Sequence, residues 1–403
     1  MHEIISREEK KKKIKNLLKE LHKNPQSSQI KTELKKIVCE LQPPEIAIIE
    51  EELVKEGMPR EGLQKFCDIH LEIFKETLEK DKTIAPEGHP VRTLMEEHEI
   101  MLQFPEKLKK TVENKLNNKL NAQETVSKIE SIVKHFKESE KHYQREENVL
   151  FPYLEKKGIT QPPAIMWMEH DKIREIKKSI YTIFEEYSTK QSDELLNQLK
   201  NVNNDLNEML LSHFTKENKI LFPTSLKVIE QAEWKEISGQ FEEIGYCCFT
   251  PKAPAKLPKE QVERPPITAG GQLEFETGAL TLEETSSILN TLPVDITFVD
   301  KDDKVKYFTN NKNRIFIRTK AVIGRKVQQC HPQKSIHIVE KILEEFKKGD
   351  RKVAEFWINL NNRLIHIRYF PVLNPQGQYL GCIEVTQDVT DIQKLKGEKR
   401  LLD

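Results

Sequence analysis

The sequence has few of the features that mark secreted or membrane-spanning proteins. Its six cysteines among 403 residues form no CxxC pair, so neither a disulfide framework nor a four-thiolate zinc site is expected. No apolar run approaches the roughly 20 residues that cross a bilayer, and the N-terminus opens with charged residues instead of a signal-peptide core. The sequence therefore predicts a cytoplasmic protein with reduced thiols and no membrane contact.

The chain also lacks an excess of charge of either sign. Lys plus Arg and Asp plus Glu number 65 each, so there is no general attraction to nucleic acid or anionic lipid. Charged residues make up 32% of the chain and hydrophobic residues 37%, which favours helices with wide solvated faces. We find no P-loop, no kinase-type phosphate loop and no nucleophile with a partnered base. A binding protein is therefore favoured over an enzyme, although the sequence leaves this open.

Composition shifts divide the chain into four parts. Residues 1–82 carry apolar residues at helical spacing and predict a small helical domain of unknown function. A second helical block, 83–243, follows, and Pro90 suits the first turn of its first helix. Residues 244–280 are rich in proline and predict a semi-rigid linker. Residues 281–397 alternate as strands around one helix, which predicts an α+β domain with an antiparallel sheet after a mainly α first two-thirds.

The elements of the last part can be placed in the sequence. A hairpin is expected within residues 295–310, around an Asp-Lys-Asp-Asp turn. One helix and three further strands follow, predicted at 335–347, 356–360, 364–372 and 379–386.

Two segments of the middle block are near copies of each other. HYQREENVLFP at 142–152 and HFTKENKILFP at 213–223 each contain an HxxxE motif followed by LFP. Residues four apart project from one face of a helix. Each copy therefore presents an imidazole and a carboxylate, and predicts one metal-binding pair.

The LFP ends of the copies have a structural interpretation. The apolar residues are expected to pack in the core, and the prolines to mark helix ends or kinks. These residues are Leu150, Phe151, Pro152, Leu221, Phe222 and Pro223.

Each copy has a partner histidine upstream. His98 lies 44 residues before the first copy and His170 lies 43 residues before the second, each inside an EH-acid tripeptide. The repeated unit is then a helical hairpin, and two hairpins make a four-helix bundle that can hold paired metals. The candidate ligands are His98, His142, Glu146, His170, His213 and Glu217. Such donors suit iron, manganese or zinc, and two glutamates placed to bridge favour a dinuclear site, with iron the first choice.

Two other histidines are weaker candidates. His135 faces the same way as His142 but lies about 10 Å along the helix axis, too far to share one metal. It is expected to line the core or a channel. His89 precedes Pro90 and is expected to cap the helix, although a displaced first helix would make it the ligand in place of His98.

The six-residue pattern resembles the hemerythrin-like HHE domains, over about 150 residues. The resemblance implies that Glu146 and Glu217 bridge two irons and that an open coordination position binds oxygen, nitric oxide or a similar oxidant. The whole chain resembles a bacterial family that joins a helical domain of unknown function, an HHE bundle and a C-terminal PAS domain.

The C-terminal part is similar to PAS domains in its element order and in its closing segment GCIEVTQDVTD at 381–391. This similarity implies ligand sensing and contact with a second copy. His331, in a Cys-His-Pro sequence, is the candidate axial ligand if the domain holds heme, with His337 and His366 as alternatives. We favour a simple turn before the helix.

Two functions are compatible with these features. The first is a sensor whose non-heme di-iron site responds to oxygen, nitric oxide or redox state and relays through the PAS domain to an unidentified protein partner. The second is a protein that reduces, detoxifies or stores a small oxidant or handles iron, as in iron–sulfur cluster repair. The attached PAS domain favours the sensor. Cys67 and His70 share a helix face near the N-terminus, but without a second pair we expect a buried cysteine.

Overall fold

The structure is a computed structural model that describes residues 84–251, 272–275, 277–311 and 314–399. Ahead of these it describes single residues and short runs, at 9, 12–14, 16, 17, 20, 24, 27–38, 49, 52, 56 and 57. The chain divides into two compact units, residues 1–256 and 257–403. The Cys67–His70 pair and most of the proline-rich segment lie outside the described residues.

The described N-terminal residues are helical, as the apolar spacing predicts. Helix α1 is Ser28–Val38, and the backbone N–H of Ile30 donates to Ser27 Oγ at 3.4 Å. Leu34 and Ile37, three residues apart, are both buried, so this helix has one apolar face.

Helices account for most of residues 84–251. Their bounds are α2 Pro90–Met101, α3 Gln103–Leu116, α4 Ala122–Glu138, α5 Glu140–Arg145, α6 Phe151–Lys156, α7 Gln161–Lys190, α8 Asp193–Lys216, α9 Phe222–Val228 and α10 Gln231–Ile244. Among the described residues no helix, the 30-residue α7 included, is long and apolar enough to span a membrane.

Local sequence signals set several helix starts. Asn121 and Glu124 form a capping box at the start of α4, and Ser192 Oγ accepts from the Leu195 N–H at the start of α8. Such caps satisfy N–H groups that have no partner within the helix. Between these ends the apolar faces form one core that includes Leu108, Val112, Ile129, Phe136, Ile173, Ile180, Leu199 and Leu206.

The helices do not end at the two LFP prolines. Instead, a π-helical turn, Glu146–Leu150, joins α5 to α6, and a second one, Glu217–Leu221, joins α8 to α9. A proline ring clashes with the carbonyl four residues earlier, and the wider π turn accommodates it. In the first turn the Phe151 N–H bonds to the carbonyl of Glu146, five residues back.

Helix α10 adds a further layer to the predicted four-helix arrangement. It packs against α2 and α5 and buries Trp234, Ile237 and Phe241. Tyr153 of α6 donates to Glu236 of α10 at 2.6 Å. The bundle therefore has an additional helix over the side that carries α2 and α5.

The second unit begins inside the segment predicted as a linker. Strands β1 (Gln272–Phe275) and β2 (Gly278–Thr281) pair as a hairpin, and helix α11, Leu282–Thr291, follows with a Thr281–Glu284 capping box. The alternation in this short stretch is too brief to predict a strand pair beside so many prolines.

Within residues 277–311 and 314–399, five strands form an antiparallel sheet in the order β4-β3-β7-β6-β5. The bounds are β3 Asp295–Asp300, β4 Val305–Phe308, β5 Ala354–Leu360, β6 Arg363–Leu373 and β7 Tyr379–Asp388, with helix α12, Gln333–Lys348, between β4 and β5. These agree closely with the predicted elements and confirm the α+β class. Residues of the sheet and of α12 form the core, among them Val299, Val305, Leu343, Phe346 and Cys382.

Candidate metal centre

Six buried side chains meet in the centre of the bundle. They come from α2, α5, α7, α8 and the first residue of each π turn, and each is at most 1% exposed. They are His98, His142, Glu146, His170, His213 and Glu217, which we call the His/Glu cluster. All six residues predicted from the repeat are thus brought together.

The first half of the cluster contains His98 and His142. Their Nε2 atoms lie 3.1 Å apart. Glu217 Oε2 lies 3.1 Å from His98 Nε2, and Glu146 Oε1 lies 3.6 Å from His142 Nε2. Two ring nitrogens and two carboxylate oxygens therefore surround one point.

The second half repeats this arrangement around His170 and His213. Glu146 Oε2 lies 3.3 Å from His170 Nε2, and Glu217 Oε1 lies 3.1 Å from His213 Nε2. Each glutamate therefore turns one oxygen to each half. In each half, four ligand atoms lie within 4.8 Å of one another, which is compact enough to hold a metal ion.

Every histidine of the cluster is oriented through its other ring nitrogen. Nδ1 of His142 lies 2.7 Å from Glu97, Nδ1 of His170 lies 2.9 Å from Glu147, and Nδ1 of His213 lies 2.9 Å from Glu169. Nδ1 of His98 lies 3.1 Å from the amide oxygen of Asn218. Since these partners accept hydrogen bonds, each Nδ1 carries a proton and each Nε2 is the ring atom that faces the cluster.

The three outer carboxylates are themselves held by cations. Arg145 donates to Glu97 at 2.5 Å, and Lys216 donates to Glu169 at 2.5 Å. Arg174 binds both oxygens of Glu147, at 2.8 and 3.0 Å. These pairs balance the buried negative charge and fix the carboxylates that orient the histidines.

Aromatic rings seal the cluster from water. Phe214 stacks on His98 with ring centroids 3.9 Å apart, and Tyr143, its counterpart in the repeat, lies 4.6 Å from His170. Phe222 and Phe151 stack on the same two histidines at 5.6 and 5.9 Å. The LFP residues are thus core residues, as predicted, and two of them also cover ligand rings.

Burial shapes the protonation of the cluster. Burial lowers the pKa of His142 to about 4, against the opposing effect of Glu97, so this ring is neutral at pH 7. Burial, together with the nearby Glu217 carboxylate, raises the pKa of Glu146 to about 8. Burial opposes ionisation of Glu217 as well, but His213 and His170 hold its pKa well below the usual range. Two adjacent buried carboxylates of this kind are stabilised by a positive ion.

The donor atoms fit a metal pair. Both carboxylate oxygens of Glu146 and of Glu217, and Nε2 of His170 and of His213, are buried without a hydrogen-bond partner. An unsatisfied buried polar atom costs on the order of 1–3 kcal/mol, and these six converge on one place. Bound cations would satisfy all of them.

Three family models match successive parts of the chain. The family of unknown function DUF438 matches residues 14–80, the hemerythrin HHE cation binding domain matches 89–225, and a PAS domain matches 286–390. The chain therefore joins a DUF438 domain, a hemerythrin HHE domain and a PAS domain, in that order. The His/Glu cluster lies wholly within the hemerythrin HHE domain, and the five-stranded sheet in the PAS domain, so the predicted architecture is confirmed.

Several solved structures resemble part of this chain, while no curated protein matches it. A C-terminal domain from Streptococcus mutans is 32% identical, with 31% of this chain and 98% of that chain covered and a TM-score of 0.30. The PAS domain of a Colwellia psychrerythraea protein is 15% identical, with 27% of this chain and 98% of that chain covered and a TM-score of 0.23. A sensory box sensor histidine kinase from Vibrio cholerae is 12% identical, with 26% of this chain and 89% of that chain covered and a TM-score of 0.21.

The other histidine candidates lie outside the cluster. His89 caps α2, its Nδ1 accepting from the Val91 N–H at 3.2 Å, and its ring packs on Trp234. His135 bonds to the carbonyl of Ser131 at 2.7 Å and stacks on Phe104. The structure therefore places His98, and neither of these, beside His142.

In the PAS domain, His331 occupies a turn before α12. Its Nδ1 donates to the Val327 carbonyl at 2.8 Å. Burial lowers the pKa of His331, while Glu384 raises it and Arg318 lowers it further. The bond to Val327 and the influence of the charged groups Glu384 and Arg318 on the ring do not match the apolar surroundings of a porphyrin.

Sequence reasoning missed the residues that hold the ligand rings. Glu97 and Glu169 each directly precede a ligand histidine. Each bonds to the histidine of the HxxxE motif that follows it in the chain, Glu97 to His142 and Glu169 to His213. Glu147 and Asn218 each follow a ligand glutamate and occupy equivalent positions 71 residues apart. The repeat carries this signal, because both copies keep an acceptor at each position.

Proposed function

We propose that this protein is a sensor that holds two iron ions in the His/Glu cluster. It would respond to oxygen, nitric oxide or redox state and relay that response through its PAS domain. The observation that supports this most directly is the placement of Glu146 and Glu217, each with one oxygen facing each pair of histidines. A single-ion site has no need of this arrangement.

The donor set favours iron. Four imidazoles and two carboxylates suit iron, manganese or zinc better than soft or all-oxygen metals. His98 and His142 would hold one ion, and His170 and His213 the other, with both glutamates spanning the two. When bound, an iron pair supplies a reversible change of oxidation state and a coordination position for a small ligand.

The protein's own residues then have three tasks. The outer acceptors Glu97, Glu147, Glu169 and Asn218 keep each Nε2 aimed inward. Phe214 and Tyr143 exclude water from the rings. The cations behind the acceptors keep those carboxylates ionised. Small neutral oxidants can enter a dry apolar site of this kind more readily than hydrated ions.

The PAS domain favours sensing over storage or detoxification. A protein that only consumes or stores an oxidant has no need of a covalently attached PAS domain. A cluster whose charge changes on ligand binding can shift the populations of two bundle conformations and so alter a protein contact. We place this activity in the cytoplasm, with output through a protein partner.

Anaerobic purification with metal analysis tests the proposal. We expect two irons per chain and an optical spectrum that changes once when oxygen or nitric oxide is added. A Glu146→Ala, Glu217→Ala double variant is the matched control and should hold no iron pair. Sustained consumption of the oxidant in the presence of a reductant would instead support the chemical function.

A further inference from the structure

The last described residues of the first unit return to the metal cluster. Helix α10 ends at Gly245, whose φ of +86° turns the chain back, and residues 246–250, the exit segment, cross Arg145. The Tyr246 ring lies 4.9 Å from the Arg145 guanidinium, and Cys247 Sγ lies 3.9 Å from its Nη2. Phe249 packs edge-on against Phe104 with centroids 5.0 Å apart.

Thr250 links the exit segment to a ligand histidine. Its hydroxyl donates to Oε1 of Glu97. The other oxygen of Glu97 accepts from His142 Nδ1 at 2.7 Å and from Arg145 at 2.5 Å. Glu97 is fully buried, as are its bonds to His142 and Arg145, while its bond to Thr250 is partly buried. Bonds that share one buried carboxylate affect one another.

In the other half of the bundle, the corresponding glutamate has a different set of hydrogen-bond donors. Glu169, the counterpart of Glu97, accepts from His213 with Oε2 and from Lys216 with Oε1. Lys216, on the same helix as His213, thus binds Oε1 of Glu169. In the first half the corresponding oxygen, Oε1 of Glu97, is bound by Thr250. The contact between the exit segment and Glu97 thus breaks the symmetry of the repeat, and it occurs where the chain leaves toward the PAS domain in sequence.

We infer that the exit segment senses the state of the His142 half of the cluster through the His142–Glu97–Thr250 chain of hydrogen bonds. The inference rests on the proposed metal binding and adds the route by which the cluster affects the following chain. A cation on His142 Nε2 makes the Nδ1–H a stronger donor. Glu97 is then held more firmly, and Thr250 with it.

Thiol labelling can measure the opening of the exit segment. Cys247 is 5% exposed and its neighbour Cys248 is exposed, so Cys247 reacts only when the segment opens. In full-length protein carrying Cys248→Ser, the alkylation rate of Cys247 would be followed by peptide mass spectrometry, with and without ferrous iron under anaerobic conditions. We expect iron to slow labelling by about tenfold, as one charge-assisted hydrogen bond can do.

Threonine variants test the hydrogen-bond chain itself. Thr250→Val should keep bound iron and lose most of the iron effect on labelling, and Thr250→Ser should retain it. Thr215→Val is the matched control, because the Thr215 hydroxyl bonds to the Leu211 carbonyl of its own helix. In this variant the effect of iron on labelling should persist. Metal content is measured separately in every variant.

The outcomes separate the two ideas. If the protein binds iron but Cys247 labels at the same rate, or if Thr250→Val responds to iron like the parent, the inference is wrong and the metal site stands. If the parent protein binds no iron, the proposed function fails and the inference fails with it.

Discussion

His98 and His142 face each other with their Nε2 atoms 3.1 Å apart. The Nδ1 atoms of the two rings lie beside Asn218 and Glu97, so both Nε2 atoms face the inside of the cluster. Burial lowers the pKa of His142 to about 4, so at neutral pH this ring is neutral. A metal ion placed between the rings would bind both Nε2 atoms.

Replacing His98 should remove iron, and replacing His89 should not. His98→Ala takes one nitrogen donor from the first half of the cluster, and we expect the iron content to fall from two per chain to one or fewer. His89→Ala removes no donor from the cluster; it removes the cap of α2, which costs on the order of 1 kcal/mol of stability, and the ring contact with Trp234. Iron analysis of both variants checks this. Loss of iron in His89→Ala with retention in His98→Ala would reverse the assignment.

Glu169 should matter for metal affinity although it is not a ligand. Glu169→Gln weakens the acceptor for His213 and removes the carboxylate that binds Lys216, so we expect metal affinity to fall about 10–100-fold. Titration with ferrous iron measures the change. The matched variant Glu185→Gln, at an exposed position of the same helix, should bind like the parent. Equal affinities for the two variants would contradict the role of Glu169.

Lys177 should destabilise the bundle at neutral pH. Its Nζ donates to Ser139 at 2.7 Å in a buried site beside Tyr143, and burial lowers its pKa to about 7. The unfolded lysine, with a pKa of about 10.4, binds a proton that the folded one loses between these values. Stability therefore rises with pH from about 7 to about 10.4.

Lys177→Met should remove that pH dependence. It should raise the unfolding free energy at pH 7 by on the order of 2 kcal/mol, after the lost polar contacts are allowed for. Thermal melts of the bundle transition at pH 7 and 9 measure both effects, and the exposed neighbour Lys178→Met is the control. If Lys177→Met were less stable than the parent at pH 7, the buried Lys177 ammonium would stabilise the bundle, and the prediction would be wrong.

The ligand positions were predictable because a duplicated helical motif fixes which residues share a face. The spacing of four predicts the pairs His142 with Glu146 and His213 with Glu217. The remaining two ligands are the histidines that precede each copy at nearly the same distance. The residues that accept hydrogen bonds from the ligand histidines could not be predicted from this spacing. Glu97 bonds to a histidine on another helix, and only the packing of those helices brings the two together.

The sequence also did not predict the π turns, helix α10 or the β1–β2 hairpin. Pro152 signals a disturbed helix, but whether the chain ends, kinks or widens there depends on how α6 packs. Helix α10 lies within the predicted helical block, yet the repeat of two hairpins gave no reason to add it. The β1–β2 hairpin is too short for its alternation to outweigh the surrounding prolines.

We propose that the bundle holds two irons between two pairs of histidines. Anomalous X-ray diffraction at the iron absorption edge, from crystals of anaerobically purified protein, can locate each ion. We predict two anomalous peaks inside the bundle, one beside His98 and His142 and one beside His170 and His213, both in contact with Glu146 and Glu217. A single peak, or none at these residues, would contradict the claim.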